Sequence, residues 1–382
     1  MDTTMQLQQL LQTIHSRSQT FIGYPAGVQF DYSELYPFLQ YNMNNVGDPF
    51  VDAAMGMHTR GLEREVIQFF AELFEAPSAN WWGYVTNGGS EGNLYGLYLA
   101  RELYPEGMVY YSESTHYSVQ KNVHLLNMPS IVIRTNEKGE MDYDDLKDTL
   151  QLNRHRPAII LANIGTTMTE AKDDIPKIKA ILKSCALKSH YIHCDAALAG
   201  VYLPLVQDQV TFNFPAGADS VAVSGHKFIG SPIPCGVVIA KKSYKDRIGR
   251  SVPYIGNLDT TITGSRNSIT PLFLWYGLKK LGREGLKERA TNCLQLAEWL
   301  VEQLNAIGCK AWRNPHALTV VLPQPSQKIC NKWQLASEAG ISHVICMPGV
   351  TQQQLELFIS DVKEWMDKPG ALHVETHPLH LN

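Results

Sequence analysis

DSVAVSGHKFIGSPIPCGVVIAK, residues 219–241, is the stretch on which the fold turns. It is a short apolar run, a loop punctuated by Gly and Pro that carries a lysine, and a second apolar run. Upstream the same kind of run recurs as MVYYS (108–112), SIVI (130–133), PAIILANI (157–164) and YIHCD (191–195). Helical spacing predicts helices between them over 91–104, 116–126, 142–151 and 173–186. Strands alternating with helices predict an α/β architecture, a mostly parallel sheet covered on both faces. After about residue 270 the pattern changes. LFLWYGLKKLG and KERATNCLQLAEWLVEQLNAIG are helical, TVVLP (319–323) is strand-like, and QQLELFISDVKEWM is a last helix. That predicts a smaller α+β domain, residues 271–382, after a long linking helix. The large domain is expected over 51–270 and an N-terminal arm over 1–50. Residues 4–18 are expected to form a short helix. Residues 61–75 place Leu62, Val66, Phe69, Phe70 and Leu73 on one helical face.

Composition excludes several classes of function. Thirty-three Lys and Arg against 37 Asp and Glu leave a net charge of −4 over 382 residues, so no basic field awaits nucleic acid or an anionic membrane. Hydrophobic residues are 44% and charged residues 18%, a profile that supports a sizeable core. No run of about 18 apolar residues spans a membrane. The N-terminal stretch lacks a basic segment followed by an apolar core, so no secretory signal is expected. The seven cysteines are scattered without a CxxC pair, which suits reduced thiols and a cytoplasmic location. The tail LHVETHPLHLN (372–382) is rich in histidine but short. It is expected to be frayed or packed on a partner, not to bind metal.

Four local patterns carry chemistry. Lys227, in SGHK at the end of an expected strand, sits where ligands gather in a parallel sheet. A lysine that forms a Schiff base with a carbonyl cofactor must be partly desolvated, so that its amine is neutral and nucleophilic. Alone it is better explained as a surface lysine on a loop. Asp195 ends the run YIHCD. A carboxylate there can keep the pyridine nitrogen of pyridoxal phosphate protonated, which makes the ring an electron sink. Its other reading is an N-cap for the next helix. Ala197 is small enough to let a ring lie flat. In TNGGSEGN (86–93) a Gly-rich turn opens into a helix, an anion site of backbone amides with Ser90 as cap and hydroxyl donor. Neither GxGxxG nor GxxxxGK[ST] is present, so dinucleotide and P-loop binding do not fit. His116, after MVYYS, is placed to stack on a cofactor ring and touch a substrate carboxylate, though alone it is better explained as a satisfied surface or core histidine. The order phosphate loop, His, Asp, Lys along one sheet edge is more specific than any member of it.

On these residues the chain resembles the group II pyridoxal-phosphate-dependent decarboxylases, in the branch of bacterial histidine decarboxylases and plant serine decarboxylases. The likeness runs from about residue 20 to 365, through GYVTNGGSEGNLYG, YYSESTHYSV, NIGTTMTEAKDDI, YIHCDAALAG, VSGHKFIGSPIPCG and TITGSRNS. It implies the large aspartate-aminotransferase-like fold (fold type I) and homodimers with active sites at the subunit interface. It implies Lys227 as the Schiff-base lysine and Asp195 as partner of the pyridine nitrogen, with Ala197 and His116 on opposite faces of the ring. Thr166 falls near the cofactor 3′-oxygen, and Gly89, Ser90, Ser224 and His226 around its phosphate. Tyr254 corresponds to a loop tyrosine and is a candidate acid for the α-carbon, or else structural. Arg266 falls near the interface. Many relatives have Thr where Ser90 stands. Histidine-decarboxylase-type members usually carry Gly-His where Ser268-Ile269 follow SRN, which bears on substrate selectivity.

The resemblance thus implies α-decarboxylation of a small polar amino acid. SPIPCGVVIAKK and GCKAWRNP resemble histidine decarboxylases. Residues 47–60, with His58, and 332–355 look closer to serine decarboxylases, so histidine and serine both remain open. An aminotransferase or aldolase on the same fold is the nearest rival. HYIHCD (190–195) also invites a metal reading through His190, His193 and Cys194, but strand alternation sets His193 and Cys194 on opposite faces.

Overall fold

The structure is a computed structural model that describes residues 2–26, 30–52 and 54–368; the His-rich tail lies outside the described residues. The chain divides into two units, residues 27–290 and a second built from 1–26 with 291–382.

The large unit begins with α2 (Arg60–Leu73), following α1 (Thr3–Ser18) of the other unit. Strands and helices then alternate: β1 (Trp82–Thr86), α3 (Gly89–Leu103), β2 (Met108–Ser112), α4 (Ser118–Leu125), β3 (Ser130–Ile133) and α5 (Tyr143–Leu152). They continue as β4 (Ala158–Asn163), α6 (Ile175–Ser184), β5 (His190–Asp195), α7 (Ala199–Val206), β6 (Ser220–Ser224), β7 (Gly236–Ala240) and α8 (Lys242–Lys245). The sheet order is β1-β7-β6-β5-β4-β2-β3. Only β7 runs against its neighbours, antiparallel to both β1 and β6. The expected α/β fold, mostly parallel, is therefore the observed one. Strands β1, β2, β4, β6 and β7 are buried at every position, as helices on both faces require. The hairpin β8 (Arg250–Val252) and β9 (Asn257–Asp259) follows, and then α9 (Ile269–Ala306), broken at Gly282. Its φ of 61° is a left-handed conformation that glycine adopts without strain.

Local chemistry sets the helix starts. Asp142 caps α5 by accepting from the amides of Asp144 (3.0 Å) and Asp145 (3.1 Å). Asp174 caps α6 by accepting from Lys177 N at 3.0 Å, with a proline in the first turn. Helix α2 buries Val66, Ile67, Phe70, Ala71 and Leu73, while Leu62 and Phe69 of the expected face are only half-buried.

In the smaller unit, β10 (Thr319–Pro323), β12 (Ile341–Ile345) and β11 (Ala336–Glu338) form an antiparallel sheet. Helices α10 (Gln327–Trp333) and α11 (Gln352–Met366) accompany it. Ala297, Leu300, Leu304, Val320, Trp333 and Phe358 belong to its core. Among the described residues, no helix is long and apolar enough to cross a membrane.

One helix governs the large unit. On α3, Gly92 and Gly96 lie one turn apart. A Cβ on Gly92 would sit 2.8 Å from the Ala222 side chain of β6, and one on Gly96 would sit 2.2 Å from His193 Nδ1 of β5. Gly96→Ala should gain about 1 kcal/mol of helix propensity yet lose roughly 1–3 kcal/mol net through overpacking. Urea unfolding decides it: a higher midpoint for Gly96→Ala would refute this close fit.

Candidate active site

The sheet brings the sequence-marked residues to one edge, at the C-terminal ends of its parallel strands. Strand β6 ends at Ser224, whose amide donates to Ala197 O at 2.9 Å just beyond β5. The lysine loop then leaves and returns as β7. It is pinned where Gly225 N donates to Cys235 O at 2.9 Å and where His226 Nδ1 lies 2.8 Å from the same oxygen. Gly89 opens α3 against this place: a Cβ there would stand 2.7 Å from Ser224 Oγ and 3.7 Å from Ala197 Cβ. Asn122, midway along α4, donates to Ser90 O at 2.9 Å and ties that helix to the first turn of α3. The helix cap is Gly88, with φ 146°, not Ser90 as the sequence suggested. Ser90 falls inside the first turn with an exposed side chain, because a residue without a Cβ makes this turn more easily.

Asp195 is no helix cap either, since α7 begins only after Leu198. Its Oδ1 accepts from Ala197 N at 3.2 Å and its Oδ2 from Asn93 Nδ2 at 2.6 Å. Burial holds the Lys227 ammonium below the ordinary lysine range, against the opposing pull of the Asp195 and Glu170 carboxylates. Burial likewise lowers His116, opposed by Asp195 and reinforced by Lys227. These three groups therefore share one electrostatic neighbourhood. Burial also lowers His226.

His116 lies just before α4, half-buried, with Nδ1 2.8 Å from Ser118 Oγ. Its turn is fixed from β4, where Asn163 Nδ2 donates to Ser112 Oγ (3.1 Å) and Thr115 Oγ1 (3.0 Å). Thr166 is buried, and its hydroxyl is taken up by its own turn: it accepts from Ala171 N at 3.0 Å and lies 3.0 Å from Thr169 Oγ1. Tyr254 stands 88% exposed on the turn between β8 and β9. Arg266 is buried, ion-paired with Glu63 and donating to Gly47 O at 2.9 Å.

Sequence reasoning missed the residues behind Asp195. Tyr191 OH donates to Ser220 Oγ at 2.8 Å, and Ser220 Oγ lies 2.7 Å from His193 Nδ1. His193 Nε2 in turn lies 2.9 Å from Asn93 Oδ1. The signal was present as every second residue of β5, Tyr191, His193 and Asp195, which strand geometry puts on one face. Both ring nitrogens of His193 are thus engaged, and Cys194 faces the other way. HYIHCD does not converge on a metal.

A desolvated amine, a carboxylate fixed at a strand end, and an exposed hydroxyl at the start of a fifteen-residue helix fit pyridoxal phosphate. The cradle between Gly89, Ser224 and Ala197 is one that a Cβ would fill. The model of the pyridoxal-dependent decarboxylase conserved domain matches residues 43–310. The chain belongs to this family, the pyridoxal-phosphate-dependent amino-acid decarboxylases. It is 47% identical to the histidine decarboxylase of Mesorhizobium japonicum over 356 residues, 93% of this chain and 96% of that protein. It is 45% identical to that of Morganella morganii over 344 residues, 89% and 91% of the two. Among solved structures it is similar to the L-methionine decarboxylase of Streptomyces sp.590, with 25% identity and a TM-score of 0.87 over 95% of this chain and 96% of that one.

His193 is fully buried, and that burial lowers it to about 4, against a weaker opposing pull from Asp195. The folded protein refuses a proton that the unfolded chain accepts from 6.5 downward. The stability gained from a neutral His193 is complete above pH 6.5 and is lost as pH falls toward 4, by roughly 3 kcal/mol at the limit. In His193→Gln, which does not titrate, the stability difference between about pH 7.5 and about pH 4.5 should shrink by roughly 2–3 kcal/mol. Urea unfolding at both pH values checks this, and an unchanged difference would contradict it.

Proposed function

We propose that this enzyme converts L-histidine to histamine and carbon dioxide. The observation that carries the substrate is its likeness to histidine decarboxylases from several bacteria, at 43–47% identity over about nine-tenths of each chain. The site suits the chemistry. Lys227 offers its amine to the cofactor's carbonyl, and burial holds its ammonium below the ordinary lysine range. Asp195 would hold the proton on the pyridine nitrogen. Ala197 would leave room for the ring, and His116 would stand at its other face and orient the substrate carboxylate. Gly89, Ser90, Ser224 and His226 would hold the phosphate, with Thr166 near the cofactor beyond the end of β4. When bound, pyridoxal phosphate supplies the electron sink that stabilises the electron pair left on the α-carbon as carbon dioxide departs.

Tyr254 delivers the proton to the α-carbon in this proposal. Its exposure in a single chain supports a role at the active site of a second copy. Helix α1 supports the same assembly: it buries none of its residues, and Leu7, Leu10, Leu11 and Ile14 form an exposed apolar stripe. A homodimer covers that stripe. Seven buried cysteines without a CxxC pair support a cytosolic enzyme.

Purified protein supplied with pyridoxal phosphate and a panel of L-amino acids should yield histamine from histidine, identified by mass. Ethanolamine from serine as the sole product would overturn the substrate. Lys227→Ala should abolish turnover and the visible absorbance of the bound cofactor; retention of either would overturn the lysine's role. Light scattering should give about twice the chain mass of 42.8 kDa and a monomer for Leu10→Glu with Leu11→Glu. A monomeric wild type would refute the assembly.

A further inference from the structure

The hydrogen bonds behind Asp195 have a direction that follows from donor chemistry alone. An amide nitrogen only donates, so Asn93 Nδ2 gives a hydrogen to Asp195 Oδ2, at 2.6 Å. Its carbonyl then faces His193 Nε2 at 2.9 Å, and that nitrogen must carry the hydrogen. A neutral imidazole has only one, so Nδ1 is bare and accepts from Ser220 Oγ at 2.7 Å. The serine oxygen, having given its hydrogen away, accepts from Tyr191 OH at 2.8 Å. Every donor along the chain Tyr191, Ser220, His193, Asn93 points toward Asp195, and none opposes. Tyr191, His193 and Ser220 are 0% exposed and Asn93 2%, so bulk water does not compete, and in such surroundings successive hydrogen bonds polarise one another. Gly96 leaves the room that His193 occupies, since a Cβ there would stand 2.2 Å from Nδ1.

We infer that His193 and Asn93 are positioning residues for decarboxylation, heading a one-way hydrogen-bond relay that fixes the orientation of Asp195. The inference rests on the assignment of Asp195 as partner of the cofactor's ring nitrogen. A carboxylate held this way keeps one oxygen committed to Asn93 and cannot turn away when the ring's electron demand changes during a turnover. The relay's outer members act only through the inner ones, so their removal has graded effects.

The test uses the holoenzyme labelled with nitrogen-15 in histidine. Long-range proton–nitrogen spectra should show His193 as the Nε2–H tautomer, unchanged from about pH 6 to about pH 8.5. The Nδ1–H tautomer or an imidazolium overturns the relay. In the variants, Asn93→Ala and His193→Phe should lower kcat roughly 10–100-fold, the scale of lost outer-shell partners elsewhere. KM should change less than about threefold, as for a contact that acts mainly in the transition state. The pH midpoint of the cofactor's visible absorbance should move with kcat. Ser220→Ala, which removes one oxygen and should fold, should show the same signature more weakly, and Tyr191→Phe more weakly still. A lowered Tm with normal kcat and an unmoved absorbance midpoint in Ser220→Ala and Asn93→Ala makes these residues packing only and overturns the inference. Asp195→Ala separates the two levels. If it is crippled while the relay variants are normal, the relay alone fails; if it too is normal, the assignment of Asp195 fails.

Discussion

Helix α3 can lie hard against β5 and β6 because its contact face carries Gly92 and Gly96 where side chains would collide with Ala222 and His193. That approach has two results at once. It brings the N-terminal end of the helix, with Gly88, Gly89 and Ser90, to the strand ends where Ser224 and Ala197 sit. It also brings Asn93 within reach of Asp195 and His193. The Gly-rich helix start and the partner that fixes Asp195 are thus set by one helix–sheet distance.

Much of this was legible. MVYYS and the strand within PAIILANI stand out in the sequence, because buried strands of a parallel sheet are short unbroken apolar runs between turn residues, and SIVI shows the same apolar run although β3 is a largely uncovered edge strand. Lys227 and Asp195 were marked by standing just past such runs. What escaped has physical reasons. AGVYLPLV (199–206) is apolar all round with Pro204 inside it, so it offers no helical period. The hairpin β8–β9 is three residues a side and largely polar, below the length at which alternation speaks. Gly88 took the cap expected of Ser90 because local propensity is indifferent to the neighbouring strand β7, whose Gly236 packs against this turn. His193 was weighed as a ligand by residue type, when its strand position, two before Asp195, was the better guide.

Strand β1 is held from the side by charges that have left water. Asp48 accepts from Trp82 Nε1 at 3.1 Å and from Thr260 Oγ1 at 3.2 Å, and pairs with buried Lys245 at 3.2 Å. Glu63 accepts from Val85 N at 3.0 Å and from Asn45 Nδ2 at 2.9 Å, and pairs with Arg266. Such pairs contribute little net stability against their desolvation, yet losing one partner leaves an uncompensated charge. Their value here is specificity. They draw segments far apart in sequence, around 45–48, 63, 82–85 and 245–266, to one register beside the strand that leads into the Gly-rich turn before α3.

The antiparallel partnership of β1 with β7 also imposes an order of events at birth. Trp82 pairs with Ala240 and Thr86 with Gly236, and β1, at the sheet edge, has no other strand beside it among the described residues. A nascent chain emerging N-terminus first therefore carries WGYVT, apolar and without a ladder, through the synthesis of five strands before its mate appears. Pairings so distant in sequence are slow to form and leave edges open meanwhile. The turn at Gly88–Ser90 and the loop that bears Lys227 meet only when that last seam closes, so this side of the sheet is also its latest part to be finished.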